Sequence, residues 1–248
     1  MQHKVLKFRN HFCLVRLKRS IMDPLDRYAR LKDRSDIALI KDVSYGNMEA
    51  FDELMNRYLD LVSRTSFRIL CDRRDSEHVT VSVFFSLWHE VLDYDDRFTV
   101  GEWLLRKTCI NARIRIMRRR VLRVFGIIND VFVNVSPVAE NEDDYVTKQA
   151  WELHCRAVSH MTPLQAAVYA MCVLEEMSVE KAAFITGLTR FRIGLALERA
   201  EDKVRNRLKD YDKEADYERY NGFLRKVSDS LTDYGRLRHE ILLQLGIK

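Results

Sequence analysis

Three prolines and eight glycines among 248 residues leave little from which to build β-turns, since average usage would supply roughly 12 and 17. Apolar positions recur instead at three-, four- and seven-residue offsets, the spacing of amphipathic helices, so the chain is expected to be all-α. At 47% apolar and 32% charged residues it reads as globular, with length enough for one large domain or two small ones. Five cysteines (Cys13, Cys71, Cys109, Cys155 and Cys172) include no CxxC pair and are odd in number, which fits a reducing cytoplasm better than a secreted disulfide framework. His154, Cys155 and His160 match no common zinc spacing, so neither a metal nor another cofactor is expected.

The first twenty-one residues are basic and acid-free, but Lys and Arg break their apolar runs too often for a signal peptide or a membrane span. Residues 1–35 are read as a basic extension, with a start at Met22 and a nonspecific nucleic-acid-binding arm as alternatives. Helical periodicity begins at Asp36, and Gly46 and Asn47 mark a turn between two helices. A further helix is expected from about Ser76 to Leu92. It carries Val79, Val83, Leu87 and Val91 on one face, and Phe84, Phe85 and Trp88 on an edge that either meets a partner or is covered by neighbouring helices.

The next helix contains "RKTCINARIRIMRRR". Residues 106–123 hold eight Lys or Arg and no acid, so the segment cannot neutralise itself, and negative charge must come from elsewhere. Ile110, Ile114 and Met117 are expected to form its inward stripe, with the arginines towards solvent. Periodicity then lapses, and residues 123–148 read as a flexible linker. In the second half Thr162 and Pro163 suit the start of a helix. The run from Ser178 reads as helix, tight turn at Gly187, and second helix capped by Thr189, the helix-turn-helix layout. Residues 210–248 are expected to add amphipathic helices interrupted near Gly222 and Gly235, packed on the body or held for a partner.

The order of these elements resembles that of the extracytoplasmic-function sigma factors of bacterial RNA polymerase. The signature GN-x-x-AF-x-x-L-x-x-RY is present as Gly46, Asn47, Ala50, Phe51, Leu54, Arg57 and Tyr58, and "WLLRKTCINARIRIMRRR" is similar to the later part of region 2. Residues 161–208 look like region 4. The resemblance implies a region 2 bundle over 36–122 and a region 4 helix-turn-helix over 149–209. It also implies function: a cytoplasmic, non-enzymatic factor that binds core polymerase at the clamp helices of the beta-prime subunit and directs promoter recognition. By the same resemblance Glu77, His78, Val81, Phe84, Phe85 and Trp88 face the polymerase. Arg106, Lys107, Asn111, Arg113, Arg115, Arg118, Arg119 and Arg120 face the minus-10 element. Thr189, Arg190, Phe191, Arg192 and Arg199 face the minus-35 element. An anti-sigma factor across the linker, or a recruiting protein, is an implied partner.

Departures from the family pattern also carry information. His78 and Val81 stand where the family has Asp and Gln, and Arg115 replaces an Asp four residues after Asn111. Gly194, Leu195 and Ala196 replace polar side chains where base edges demand hydrogen-bonding groups. Gly194 also weakens its helix by roughly 0.5–1 kcal/mol relative to Ala. A DNA-binding regulator that has kept the fold but lost productive polymerase engagement is the alternative reading. No phosphate-binding glycine loop, nucleophile elbow or metal-spaced His/Glu pair points to an enzyme.

Overall fold

The structure is a computed structural model that describes residues 31–125, 142–211, 216–227 and 233–246. These carry ten α-helices and no strand: α1 (Asp36–Ser44), α2 (Met48–Leu70), α3 (Arg73–His89), α4 (Val100–Val124), α5 (Glu142–Ser159), α6 (Pro163–Tyr169), α7 (Val179–Thr186), α8 (Arg190–Tyr211), α9 (Tyr217–Val227) and α10 (Tyr234–Gln244). Residues 1–30 and 126–141, which include the basic arm and most of the expected linker, lie outside the described residues.

Local chemistry sets most helix ends. Ser35, Asn47, Asp72 and Ser178 each accept a backbone N–H from the first turn of the helix that follows. Thr162 and Gln165 form a reciprocal capping box, with Pro163 at the first helical position. Gly46 and Gly187 take φ of 79° and 71°, the left-handed conformation that their two turns require. The signature residues beyond the α2 cap are also structural. Ala50, Phe51 and Leu54 are buried. Arg57 donates to the Arg34 and Lys32 carbonyls at 3.0 and 2.9 Å and pairs with Asp36 at 2.7 Å.

α1 to α4 form one bundle, with α2 packed against α3 and α4. α5 to α9 form a second, and the two are packed together: α4 lies against α6 and α7, and α2 against the π turn Ala170–Leu174 that extends α6. Val173 and Leu174 stand in the last turn of this helix, where carbonyls have no partner within it. Arg225 donates to Val173 O at 2.9 Å, and Arg68 donates to Leu174 O at 3.1 Å. Arg68 is buried, pairs with Glu175 and donates to Arg225 O at 2.7 Å, so one side chain joins α2, the π turn and α9. Beside it Trp151 of α5 stacks on Phe67 of α2 at 4.4 Å between centroids.

Three expectations change. The helix after the linker opens at Glu142, so residues 142–148, expected as linker, are helical. Gly222 lies inside α9 and Gly235 in the first turn of α10, so neither interrupts a helix. The inward stripe of α4 consists of Leu104, Leu105, Thr108, Cys109 and Ala112, all buried. Ile110, Ile114 and Met117 are instead exposed by 43%, 48% and 54%. Both stripes have helical spacing, and the one with small residues lets α4 approach its neighbours; Cys109 Sγ sits 3.6 Å from Met171 Sδ.

Candidate nucleic-acid interface

Helix α4 divides its cations into two sets. Arg115 and Arg119 reach the N-terminus of α3: Arg115 pairs with Asp75 at 2.6 Å, and Arg119 pairs with Asp72 and Asp75 at 3.1 Å. Lys107 pairs with Glu90 and lies 4.9 Å from the centre of the Trp103 ring, which is buried. Arg106 donates to Ile185 O at 2.7 Å, satisfying a carbonyl at the C-terminus of α7 beside Gly187. Arg120 donates to Met161 O ahead of α6. Much of the negative charge that the acid-free segment needs is therefore supplied from within the chain. These five side chains, expected at DNA, fasten α4 to α3, α6 and α7.

Among the described residues Arg113 and Arg118 make no hydrogen bond or ion pair. They rim a groove of about 1020 Å³ whose floor includes Ile110, Ile114, Met117 and Val121. Thr162, Pro163 and Leu164 form the opposite wall, and Arg192 of α8 also lines it. Asn111, half-buried, lies on α4 beside Ile110.

The helix-turn-helix expectation takes shape as α7 packed on α8. Ala182, Ala183 and Ile185 of α7, and Ile193, Ala200 and Val204 of α8, are buried. Thr189 caps α8, accepting the Arg192 N–H at 3.4 Å, so its hydroxyl is structural. Arg190, Phe191 and Arg192 project from the head of α8, with Phe191 78% exposed, and Arg199 is exposed two turns on. Arg190 approaches Glu180 no closer than 3.9 Å, and both are exposed. Ala196 is buried and belongs to the core, while nothing lies within 4 Å of a Cβ built on Gly194, so no close approach explains that glycine.

The six residues expected at the polymerase separate as well. Phe84 and Trp88 are inside the bundle, their rings edge-on to Phe51 at 6.4 and 5.2 Å, and do not form an exposed edge. Val81 is buried, Glu77 is paired with Arg236 of α10, and His78 and Phe85 are exposed. α3 is covered on both faces because α2 and α4 take one and α10 lies against it too. Periodicity within α3 carries no signal for α10, which is distant in sequence.

His154, Cys155 and His160 do not converge. His154 Nε2 is 3.0 Å from Arg68 O, Cys155 lies beside Cys71, and His160 Nε2 is 2.9 Å from Arg207. Among the described residues no group of three or more His, Cys, Asp or Glu is arranged to hold a metal ion. Also among them, no helix is long and apolar enough to cross a membrane. Burial pushes the Cys109 thiol up to about 12 and the Cys172 thiol to about 11, so neither has thiolate character near neutral pH.

No protein-family model matches the chain, and no curated protein matches it. Among solved structures it is similar to CnrH in complex with the cytosolic domain of CnrY. The TM-score is 0.49 and the identity 21%, over 72% of this chain and 99% of that one. It is also similar to the sigma factor RpoE in complex with the anti-sigma factor NepR from Bartonella quintana. There the TM-score is 0.49 and the identity 17%, over 65% of this chain and 98% of that one.

Proposed function

We propose that this chain is a transcription initiation factor of the extracytoplasmic-function sigma class, acting in the cytoplasm on bacterial RNA polymerase and performing no chemistry itself. The observation that carries the reading is the convergence of Arg113, Arg118 and Arg192 on one apolar groove, next to the projecting head of a helix-turn-helix unit. Guanidinium groups around an apolar floor suit a strand whose bases are unstacked: the arginines take phosphates and release counterions, while Ile114 and Met117 receive base faces. Asn111, next to Ile110 on α4, is assigned a base edge or a backbone atom. Arg190, Arg192 and Arg199 on α8 supply phosphate or guanine contacts, and Phe191 a thymine methyl contact.

Core polymerase binds, on this reading, at the α3 surface marked by Glu77, His78 and Phe85. Because Gly194, Leu195 and Ala196 bring few hydrogen-bonding groups to the major groove, a recruiting protein is assigned the sharpening of promoter choice but not initiation itself, and an anti-sigma partner is assigned restraint. The test is co-purification with bacterial core polymerase, followed by anisotropy titration of the complex against forked DNA with an unpaired strand. Stable association and a preference for the fork over duplex support the proposal. Association without that preference overturns the role of the groove.

A second reading has its own observation. Phe84 and Trp88 are core and α10 covers part of α3, which suits a DNA-binding regulator that no longer engages polymerase. Binding to DNA with no association to core would favour it.

A further inference from the structure

Helix α10 is seated beside the surface assigned above to the polymerase and takes up its Glu77, while His78 and Phe85 stay exposed. It packs against α3 and α2 and buries Leu237 and Ile241. Around that small apolar seam the ion pairs have one polarity: Arg236 pairs with Glu77 and Arg238 with Asp52. Arg238 also donates to Asn56 at 3.0 Å, and the Tyr234 hydroxyl donates to Asp60. In these pairs the cations are on α10 and the anions on α2 and α3. Glu77 and Val81 are four residues apart and share a helix face.

The seat is built for reversal. An isolated helix of 11 residues is marginal in water, so α10 depends on its seat for its structure. The Arg236 and Arg238 side chains are 52% and 40% exposed, and ion pairs at that exposure hold weakly and are screened by salt. The anchor of α10 is two buried aliphatic side chains with Tyr234, Leu242 and Leu245 partly buried beside them, whereas even the shorter α1 buries Leu39, Ile40 and Val43. α10 also presents what a competitor for this surface must present: a helical face with cations spaced to meet Asp52 and Glu77.

We infer that α10 is a built-in competitor for the acidic α2 and α3 face, a basic strap that must leave before a partner with its own basic helical surface can seat. The inference rests on the reading of α3 as the polymerase surface. Binding then follows the population of the released state: if α10 is seated in nine-tenths of molecules, apparent affinity is about tenfold below that of the open form. The device restrains the protein in the absence of any second protein.

The experiment compares the full-length chain with its R236E/R238E variant by two readouts: amide hydrogen exchange across residues 233–246, and affinity for purified bacterial core polymerase. The expected result is faster exchange in α10 together with core affinity at least about tenfold higher, carried mainly by faster association. Faster exchange with unchanged or weaker core affinity overturns the inference while leaving the polymerase reading intact. If exchange is unchanged because the apolar seam holds, Leu237→Asp provides the released state for the same comparison. If neither the parent chain nor a released variant binds core, the polymerase reading falls and the inference falls with it.

Discussion

Acid should loosen the joint between the two bundles, through His154. Its ring lies fully buried between α2 and α6, with Nε2 3.0 Å from Arg68 O and no partner for Nδ1. The ring of Tyr169 is 5.8 Å away between centroids, and the Arg68 guanidinium is the nearby charge. Burial disfavours the imidazolium, and Arg68 opposes it further, so the pKa is pushed down from 6.5 to about 4. The folded chain keeps the ring neutral at pH values where the unfolded chain protonates it. Stability is therefore full above about pH 7 and falls as pH drops through 6.5 towards 4. From this group alone the loss is roughly 2 kcal/mol at pH 5 and roughly 3 kcal/mol at pH 4. Urea unfolding of the parent chain and of His154→Gln at about pH 7.5 and pH 5 checks this, because carboxylates titrate in both proteins and cancel. The variant should lose about 2 kcal/mol less over that interval. An equal loss in the two proteins would refute the assignment.

Other consequences can be measured by simple means. Gly194→Ala should raise stability by roughly 0.5–1 kcal/mol in thermal unfolding, since the added Cβ meets nothing within 4 Å and the site is helical. Glu175→Gln should cost about 3 kcal/mol by urea unfolding, because the buried Arg68 loses the carboxylate it pairs with at the π turn. Arg113→Ala and Arg118→Ala should each reduce the salt dependence of DNA binding by about one counterion with little change in stability. Arg115→Ala should do the reverse, destabilising the α3–α4 contact through Asp75 and leaving the salt slope unchanged.

What could be read from the sequence was mostly local. Asn47, Thr162, Ser178 and Gly187 act within four residues of their own positions, so the helix ends they set are visible in a short window. The phase of α4 was not visible, because Leu105, Cys109 and Ala112 share their period with Ile110, Ile114 and Met117. Bulk alone favours the wrong stripe. The arginine pairs were hidden for another reason: Asp75 and Asp72 lie 40 and 47 positions from Arg115 and Arg119, and only the packing of α3 on α4 brings them together. The groove combines both difficulties, since its floor is the stripe expected inside and its far wall comes from another bundle. The seat of α10 depends on contacts across more than 150 positions, from Arg236 to Glu77 and from Arg238 to Asp52.

The most direct test of the account is multiple-round transcription by purified bacterial core polymerase on a pool of genomic fragments, with and without this protein, with every new start mapped. The account predicts new starts that share an upstream sequence and that disappear in an Arg113→Ala/Arg118→Ala variant. An unchanged set of starts, with the protein shown to be folded and bound to core, would contradict it.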